Sequence, residues 1–430
     1  MRKNKVIALV LAALFCFPNF VLAQDTSEKM KEEMDSLKAR LAELEEKLEK
    51  KPVEGAKGEK ADEKAAVPSL GEVLGSTGIT LTGYIDTTYS HLSGNGRFNL
   101  TPSGPGVTPG GFNRVFDFER DSFNLQQVAA SAAYQPEEGF GAFANITLGK
   151  DADVIAAFDT DGLFTNGDKD YFDVTQAFVQ YAKGPFTLAG GKFVTLAGAE
   201  VIWTPLDVNL SRSILFGYAI PFTHTGVRAK YVAGEVATFS AGINNGWDAV
   251  KDTNNQKTFE LGAFFTPTKS LAFSVAGYTG EERVGGLVNI GPNGNRNLID
   301  LLATWNLTDQ LQFVVNYDYG SQENFTSLVN GSNIKAKWNG IAGYINYLIT
   351  EQWRLSLRGE YFDDEDGYRT GIIQEWKEAT LTLSWLPHKN FELRAEVRGD
   401  KSNEDVFINP GGTSADDTQQ SYGLQALFKF

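Results

Sequence analysis

Apolar residues occupy every second position through most of the chain after residue 77. In the closing stretch SYGLQALFKF, one parity holds Tyr422, Leu424, Ala426, Phe428 and Phe430. A two-residue period is that of a β-strand, because successive side chains point to opposite faces of a sheet. Segments of about ten residues with this alternation recur to the end of the chain, so residues 78–430 are predicted to be all β.

The connections between these segments alternate between short and long. The short ones include PEEG (136–139), PTKS (267–270) and LTDQ (307–310), whereas the long ones are rich in Gly, Asn, Asp and Pro. Such sorting is typical of a transmembrane β-barrel, which has short turns at one end and long loops at the other. Seven short turns and eight long loops predict an antiparallel transmembrane barrel of about 16 strands, with both chain ends on the short-turn side.

The two faces of the predicted strands differ in chemistry. In WRLSLRGEYF, Trp353 and Leu357 share one parity, while Arg354 and Arg358 share the other. Neither lipid nor a dry core accepts unpaired charges, but a water-filled lumen does. The residues predicted to line that lumen are Arg228, Lys230, Arg354, Arg358, Glu360, Glu392, Arg394, Glu396 and Arg398.

Aromatic residues cluster beside the short turns, where a membrane interface is expected, for example Trp353 and Trp385. The final strand is predicted to face lipid with Tyr422 to Phe430 and to close the barrel on the first strand. Strict alternation points Lys192 toward lipid. The preceding Gly190-Gly191 could form a bulge that turns it inward, or its amine could reach the interface.

The first 77 residues have a different organisation. Three cations, a short apolar run and Val21-Leu22-Ala23 predict a signal peptide at 1–23, which contains the only cysteine, Cys16. Residues 24–50 carry a heptad seam that predicts a short coiled-coil helix, with a single solvated helix as the alternative. Residues 51–77 have mixed charge and little to bury, so they are predicted to be a flexible linker.

Composition and motifs exclude several functions. The formal net charge is −15, which argues against nucleic-acid binding. After the signal peptide there is no apolar run long enough for a transmembrane helix. His91, His224 and His388 form no recognisable catalytic set, and no hydrolase or phosphate-binding motif is present. No enzymatic activity, metal site or cofactor is predicted.

Residues 190–231 resemble the OmpL-like β-barrel porin family, as does the stretch at 123–153. The matching pieces are Gly-Lys-Phe at 191–193, Gly198 with Glu200, and the NLSRS run at 209–213. The resemblance implies a passive outer-membrane channel. The end of the chain, with Tyr422, Phe428 and Phe430, resembles the assembly signal of outer-membrane proteins and implies recognition by the barrel-insertion machinery.

The same segment contains the third long loop of the predicted barrel. In many porins this loop folds into the lumen and narrows it. By that likeness Glu200, Asp207 and Arg212 are expected to line a constriction opposite the wall arginines. The alternative is an external loop that caps the mouth of the barrel.

The function favoured by these observations is that of an outer-membrane porin for passive diffusion of small hydrophilic solutes and ions. Two alternatives stay open: an anion- or phosphate-selective porin, and a barrel that sheathes or anchors an electron-transfer or cell-wall partner. The expected partners are outer-membrane lipid with lipopolysaccharide, the insertion machinery and two further copies in a homotrimer. The N-terminal arm is expected in the periplasm.

Overall fold

The computed structural model of the protein describes residues 77–94, 114–117, 119–156, 171–252, 254–283, 292–410 and 414–430. The signal peptide predicted at 1–23 and the helix predicted at 24–50 lie outside the described residues. So does the predicted linker, except for its last residue, Thr77. No helix among the described residues is long and apolar enough to cross a membrane.

Strands make up most of the described chain, because the alternating sequence offers one apolar and one polar face to two different surroundings. They are β1 Thr80–Leu92, β2 Ser122–Tyr134, β3 Gly139–Leu148, β4 Phe172–Lys183, β5 Phe186–Val194, β6 Thr223–Ala233, β7 Ala237–Asn244, β8 Thr258–Thr268, β9 Leu271–Arg283, β10 Asn293–Asn306, β11 Leu311–Thr326, β12 Asn333–Thr350, β13 Trp353–Asp364, β14 Gln374–His388, β15 Phe391–Ser402, β16 Phe407–Ile408, β17 Ala415–Asp416 and β18 Thr418–Lys429. The helical segments are α1 Ala152–Ile155, a 3₁₀ turn at Thr204–Leu206 and a π-helical turn at Leu215–Ala219.

Sixteen of these strands, β1 to β15 and β18, close into one antiparallel barrel. β18 pairs with β15 on one side and with β1 on the other, and the backbone N–H of Phe430 donates to the carbonyl of Gly83 at 2.9 Å. Closure leaves no free sheet edge, which a barrel in lipid requires. The prediction of about sixteen strands and of closure on the first strand is confirmed. β16 and β17 form a small separate hairpin.

The connections between the described strands are sorted by length, as predicted. One end of the barrel, called the short-turn end, carries seven turns of two to four residues. The other, called the long-loop end, carries loops 1 to 8, which are residues 93–121, 149–171, 195–222, 245–257, 284–292, 327–332, 365–373 and 403–417. Loop 8 contains the β16–β17 hairpin.

The two faces of the barrel wall differ as the alternation predicts. On β13, Arg358 is fully buried in the interior, whereas the neighbouring Leu357 is 44% exposed on the outer face. Beside the short turns the outer face carries aromatic rings, and Trp353 stacks on Trp385 with 6.2 Å between ring centroids. The outer surface is therefore apolar with an aromatic border, and the interior surface is polar.

An apolar cluster lies inside the barrel, mostly toward the long-loop end. It combines side chains of loop 3, such as Phe216 and Phe222, with wall residues such as Trp338 and Trp376. Close packing of apolar side chains leaves no room for a water path through them. This part of the lumen is therefore filled by the chain itself.

Candidate functional site

Loop 3 lies inside the barrel rather than beyond its rim. Between Thr195 and Phe222 most side chains are buried, and the most exposed is Leu206 at 50%. Gly198 has a φ of 102°, a backbone conformation that glycine adopts at little cost. A Cβ at Gly198 would meet Cδ1 of Ile220 at 2.7 Å, so the two ends of the loop approach closely at this residue.

Arg358 of β13 is the central attachment of loop 3 to the wall. Its Nη1 lies 2.7 Å from Oε1 of Glu200 and donates to the carbonyl of Ser211 at 2.6 Å. Its Nε donates to Oε1 of Glu378 on β14 at 2.8 Å. One guanidinium with no exposed surface therefore joins the loop to two strands.

Two arginines of β15 hold the carbonyl groups of the same loop. Arg394 donates from Nη2 to the carbonyl of Asp207 at 2.6 Å and from Nη1 to that of Asn209 at 2.9 Å. Arg398 donates from Nη1 to the carbonyl of Arg212 at 2.7 Å. Hydrogen bonds from charged donors are stronger than those between neutral groups, so they fix the path of the loop.

Wall carboxylates accept the backbone N–H groups of loop 3. Glu396 accepts from Leu210 at 2.6 Å and from Ser211 at 3.0 Å. Glu360 accepts from Ile214 at 3.0 Å and from Leu215 at 3.1 Å. Buried backbone donors need acceptors, and in an irregular loop the wall supplies them in place of secondary structure.

The opposite part of the wall also holds the loop. The N–H of Gly198 donates to Oδ2 of Asp300 at 3.1 Å, and that of Ala199 donates to Oδ1 of Asn316 at 3.0 Å. On β2, Nε2 of Gln127 donates to the carbonyl of Ile202 at 3.0 Å. Loop 3 is therefore fastened to the barrel wall on several sides.

The end of loop 1 enters the lumen beside loop 3. Arg114 donates from Nη2 to Asp400 at 2.7 Å and to Ser421 at 2.8 Å. The ring of Phe116 packs against that of Phe216 with 5.6 Å between centroids. Oδ2 of Asp117 accepts the N–H of Arg212 at 2.8 Å. Residues 114–117 thus form a second inserted segment in contact with the first.

The carboxylate of Asp207 and the guanidinium of Arg212 bond to each other within loop 3, so they do not project across an open passage. Nη2 of Arg212 also donates to the carbonyl of Ile202 at 2.9 Å. Although burial lowers the pKa of Arg212, the carboxylates of Asp207, Asp151 and Glu200 raise it above its usual range. Arg212 is therefore a permanently charged group inside the loop.

Comparison with known proteins places the chain in a family. The family model described as "Putative beta-barrel porin-2, OmpL-like" matches residues 78–430. The chain belongs to this porin family. The match covers the whole barrel and confirms the resemblance seen in the sequence. Porins of this family are outer-membrane channel proteins and are typically not enzymes.

Solved outer-membrane proteins share the fold of this porin. OmpT of Vibrio cholerae has 12% identity, with 82% of this chain and 97% of that chain covered and a TM-score of 0.54. The outer membrane channel DcaP of Acinetobacter baumannii has 13% identity, the same two coverages and a TM-score of 0.54. An anion-selective porin from Comamonas acidovorans has 11% identity, covers 82% and 99%, and scores 0.56. At these identities the likeness concerns the fold. No curated protein matches the chain.

The structure brings together most of the residues that the sequence singled out in this porin. Glu200 bonds Arg358, while the carbonyls of Asp207 and Arg212 bond Arg394 and Arg398. All nine predicted wall residues lie on the interior side. Eight of them are less than a tenth exposed, and Arg354 is slightly more exposed. Seven of them contact the inserted loop or one another, and Arg228 and Lys230 lie elsewhere on the wall. The role of the nine in lining a pore stays a proposal.

Three predicted wall residues lie away from loop 3. Arg228 on β6 donates to both carboxylate oxygens of Glu260, at 2.5 and 2.9 Å, and lies 4.0 Å over the ring of Phe193. Arg354 bonds Glu392 at 2.5 Å near the short-turn end. Lys230 borders a cavity of about 220 Å³ between the β2–β3 and β4–β5 turns.

Several residues of the site were not among the predicted ones. Glu378 and Asp400 continue the polar parity of their strands, so the alternation that identified Arg358 and Arg398 contains their signal as well. Residues 114–117 carry no periodicity that would place them in the lumen. Among the described residues, no group of three or more His, Cys, Asp or Glu side chains is arranged to hold a metal ion.

The residues predicted as an assembly signal lie on the outer face of the closing strand. Tyr422, Phe428 and Phe430 are each about half exposed there. A Cβ on Gly83 would meet the ring of Phe430 at 2.5 Å, so the terminal ring lies over a glycine of the first strand. Recognition of these residues by insertion machinery stays a proposal.

Proposed function

We propose that the protein is an outer-membrane channel for passive diffusion of small hydrophilic solutes and ions, and that loop 3 controls its passage. The carrying observation is the interior ladder of arginines and carboxylates on β13 to β15, which holds loop 3 across the lumen. Such a ladder supports a hydrated path wherever the loop moves away from it. In this arrangement the part of loop 3 that carries Glu200, Asp207 and Arg212 forms the constriction, and the nine wall residues line the path.

The mixture of positive and negative side chains in the lumen favours weak ion selectivity. On β13 to β15 the four arginines are interleaved with Glu360, Glu378, Glu392, Glu396 and Asp400. A site built for anions or phosphate needs cations without adjoining carboxylates. The ladder therefore supports a channel that passes both cations and anions with a slight preference for cations. It argues against the anion-selective alternative.

The filled lumen argues against the alternative of a sheath around an electron-transfer protein. A sheath around an electron-transfer protein needs a wide and empty interior, whereas loop 3 and residues 114–117 occupy this one. The same packing supports a second candidate, a closed barrel that only anchors the N-terminal arm to the membrane. A conductance measurement distinguishes the two, because a closed anchor passes no current and a channel does.

We further propose the following placement in the cell. The short-turn end and the N-terminal arm lie in the periplasm, and loops 1 to 8 meet lipopolysaccharide and the medium. Assembly starts from Tyr422, Phe428 and Phe430. A homotrimer is supported by small side chains on the outer surface of β2 to β4, where Ala132, Ala144 and Ala177 are direct neighbours. One solved OmpT structure of Vibrio cholerae is described as a trimer form.

Single-channel recording tests the channel. The wild-type protein, folded in detergent and inserted into a planar bilayer under a salt gradient, is expected to give conductance steps with a small reversal potential of cationic sign. A strong anionic reversal potential with block by phosphate would support the anion-selective alternative instead. Absence of steps from protein that shows the heat-dependent gel shift of a folded barrel would contradict the channel and leave the anchor.

A further inference from the structure

Arg369 of loop 7 lies inside a cage of three aromatic rings, called here the Arg369 cage. Its Cζ is 5.5 Å from the ring centroid of Trp247, 5.4 Å from that of Trp338 and 5.9 Å from that of Tyr368. The rings come from loop 4, β12 and loop 7. Aromatic faces attract cations most strongly when the site is shielded from water, and the three rings are almost completely buried.

The cage holds this charge without a direct ion pair. Among the described residues Arg369 forms no ion pair, and its guanidinium donates one hydrogen bond, from Nε to the carbonyl of Tyr218. The nearby Asp364 is occupied by backbone N–H groups of Arg369 and Thr370, at 2.9 and 2.6 Å. A cation shielded from water is costly unless something compensates it, and the rings supply this compensation together with the nearby carboxylates of Asp364 and Asp248.

A second guanidinium confirms the cation preference of these rings. Arg296 lies 5.0 Å from the centroid of Trp247 and 5.6 Å from that of Tyr368. Its Nε donates to Oε1 of Gln322 at 2.7 Å, which holds it at the base of the cage. The rings therefore serve two cations, one from the wall and one from a loop.

The two occupants differ in how firmly they are fixed. Arg296 is buried and belongs to strand β10, whereas Arg369 is partly exposed and belongs to loop 7 at the long-loop end. Loop 7 turns at Gly367 and Gly371, which have φ values of 72° and 81°. Arg369 is therefore the less firmly held of the two occupants.

We propose that the Arg369 cage is a binding subsite for the guanidinium or alkylammonium group of a solute, occupied in the resting protein by the chain's own Arg369. This rests on the proposed function, since a channel must first meet its solutes at this end. The cage also adjoins loop 3: Nε1 of Trp338 donates to the carbonyl of Ala219 at 3.1 Å, next to the carbonyl that Arg369 holds. A solute that displaces Arg369 thus removes one attachment of loop 3.

The test uses binding rather than conduction, so it stands apart from the channel test. Tryptophan fluorescence of the full chain in detergent is titrated with millimolar guanidinium and with tetramethylammonium, and urea serves as the neutral analogue of guanidinium. The variant Arg369→Ala empties the cage. In this variant both cations are expected to quench the fluorescence saturably, at concentrations at least tenfold below those that wild type needs. Urea is expected to give no saturable quenching.

Two further variants make the result specific. Arg369→Ala combined with Trp247→Leu is expected to lose the saturable response, whereas Lys377→Ala, which removes an exposed cation 5.6 Å from the ring of Tyr361, is expected to behave as wild type. If Arg369→Ala does not fold, Arg369→Gln keeps an unbranched polar side chain without the charge and serves in its place. Equal responses to urea and guanidinium, or no response in a folded variant, would overturn the subsite even if the protein conducts.

Discussion

Replacing Arg358 with alanine is expected to loosen loop 3 on the barrel wall and to increase the single-channel conductance. The change removes hydrogen bonds to Glu200, Ser211 and Glu378 and leaves buried carboxylates without their cation. Removing one partner of a buried ion pair costs about 3–5 kcal/mol, so the free energy of unfolding should fall by a comparable amount. Conductance in planar bilayers and urea unfolding in lipid vesicles measure the two effects.

Arg354→Ala is the matched control for this change. Arg354 lies four residues earlier on the same face of β13, but it donates its hydrogen bonds to Glu392 and Ser384, which both belong to the wall. The control is expected to lose less stability and to raise the conductance less than Arg358→Ala does. If both variants conduct as wild type does, Arg358 does not hold a gate.

Replacing Gly191 with alanine is expected to disrupt the strands that carry loop 3. Gly191 has a φ of 142°, and a Cβ there would lie 2.2 Å from the carbonyl oxygen of Ala177 on β4. Its partner on β6 is Gly226, where a Cβ would lie 2.2 Å from the carbonyl oxygen of Ile243. Strain of this kind costs roughly 2 kcal/mol or more, which urea unfolding would detect.

The neighbouring Gly190 provides the control in the same strand. A Cβ at Gly190 meets nothing within 4 Å, so Gly190→Ala is expected to leave stability and assembly close to wild type. Equal stability of the two variants would show that the close approach at Gly191 is not needed. The irregular backbone at Gly191 also accounts for Lys192, which is buried with its Nζ 3.0 Å from Asp173 instead of facing lipid.

Much of the fold could be predicted from the sequence, because a barrel in lipid imposes a strict two-residue period. The parity that placed Arg358 and Arg394 inside and Leu357 outside follows from strand geometry alone. Loop length also marked the two ends of the barrel, because a transmembrane barrel has its short turns at one end and its long loops at the other. The position of loop 3, in contrast, came from likeness to other porins, since nothing in residues 195–222 alternates.

The parts that could not be predicted depend on contacts between distant segments. Parity places an arginine inside a barrel but does not say what packs on it, so the burial of Arg398 under loop 3 was not foreseen. Arg114 meets Asp400 across 286 residues of sequence, and no local pattern records that contact. The Arg369 cage gathers its rings from three elements, so each ring alone looks like an ordinary loop or strand aromatic.

A disulfide between loop 3 and the wall tests the central claim most directly. A Cβ on Gly423 of β18 would lie 2.8 Å from Cδ1 and 3.7 Å from Cγ of Leu210, so cysteines at the two positions are expected to come within bonding range. The only native cysteine, Cys16, lies in the predicted signal peptide, so the barrel offers no competing thiol. The single variants Leu210→Cys and Gly423→Cys control for the substitutions themselves.

The measurement is the single-channel conductance of the double variant before and after reduction, with the disulfide verified by mass spectrometry. If movement of loop 3 opens the passage, the oxidised protein conducts less than wild type, and the reductant restores conductance without changing the single variants. Identical conductance in the oxidised and reduced states, with the disulfide formed, would contradict the account that loop 3 controls the channel.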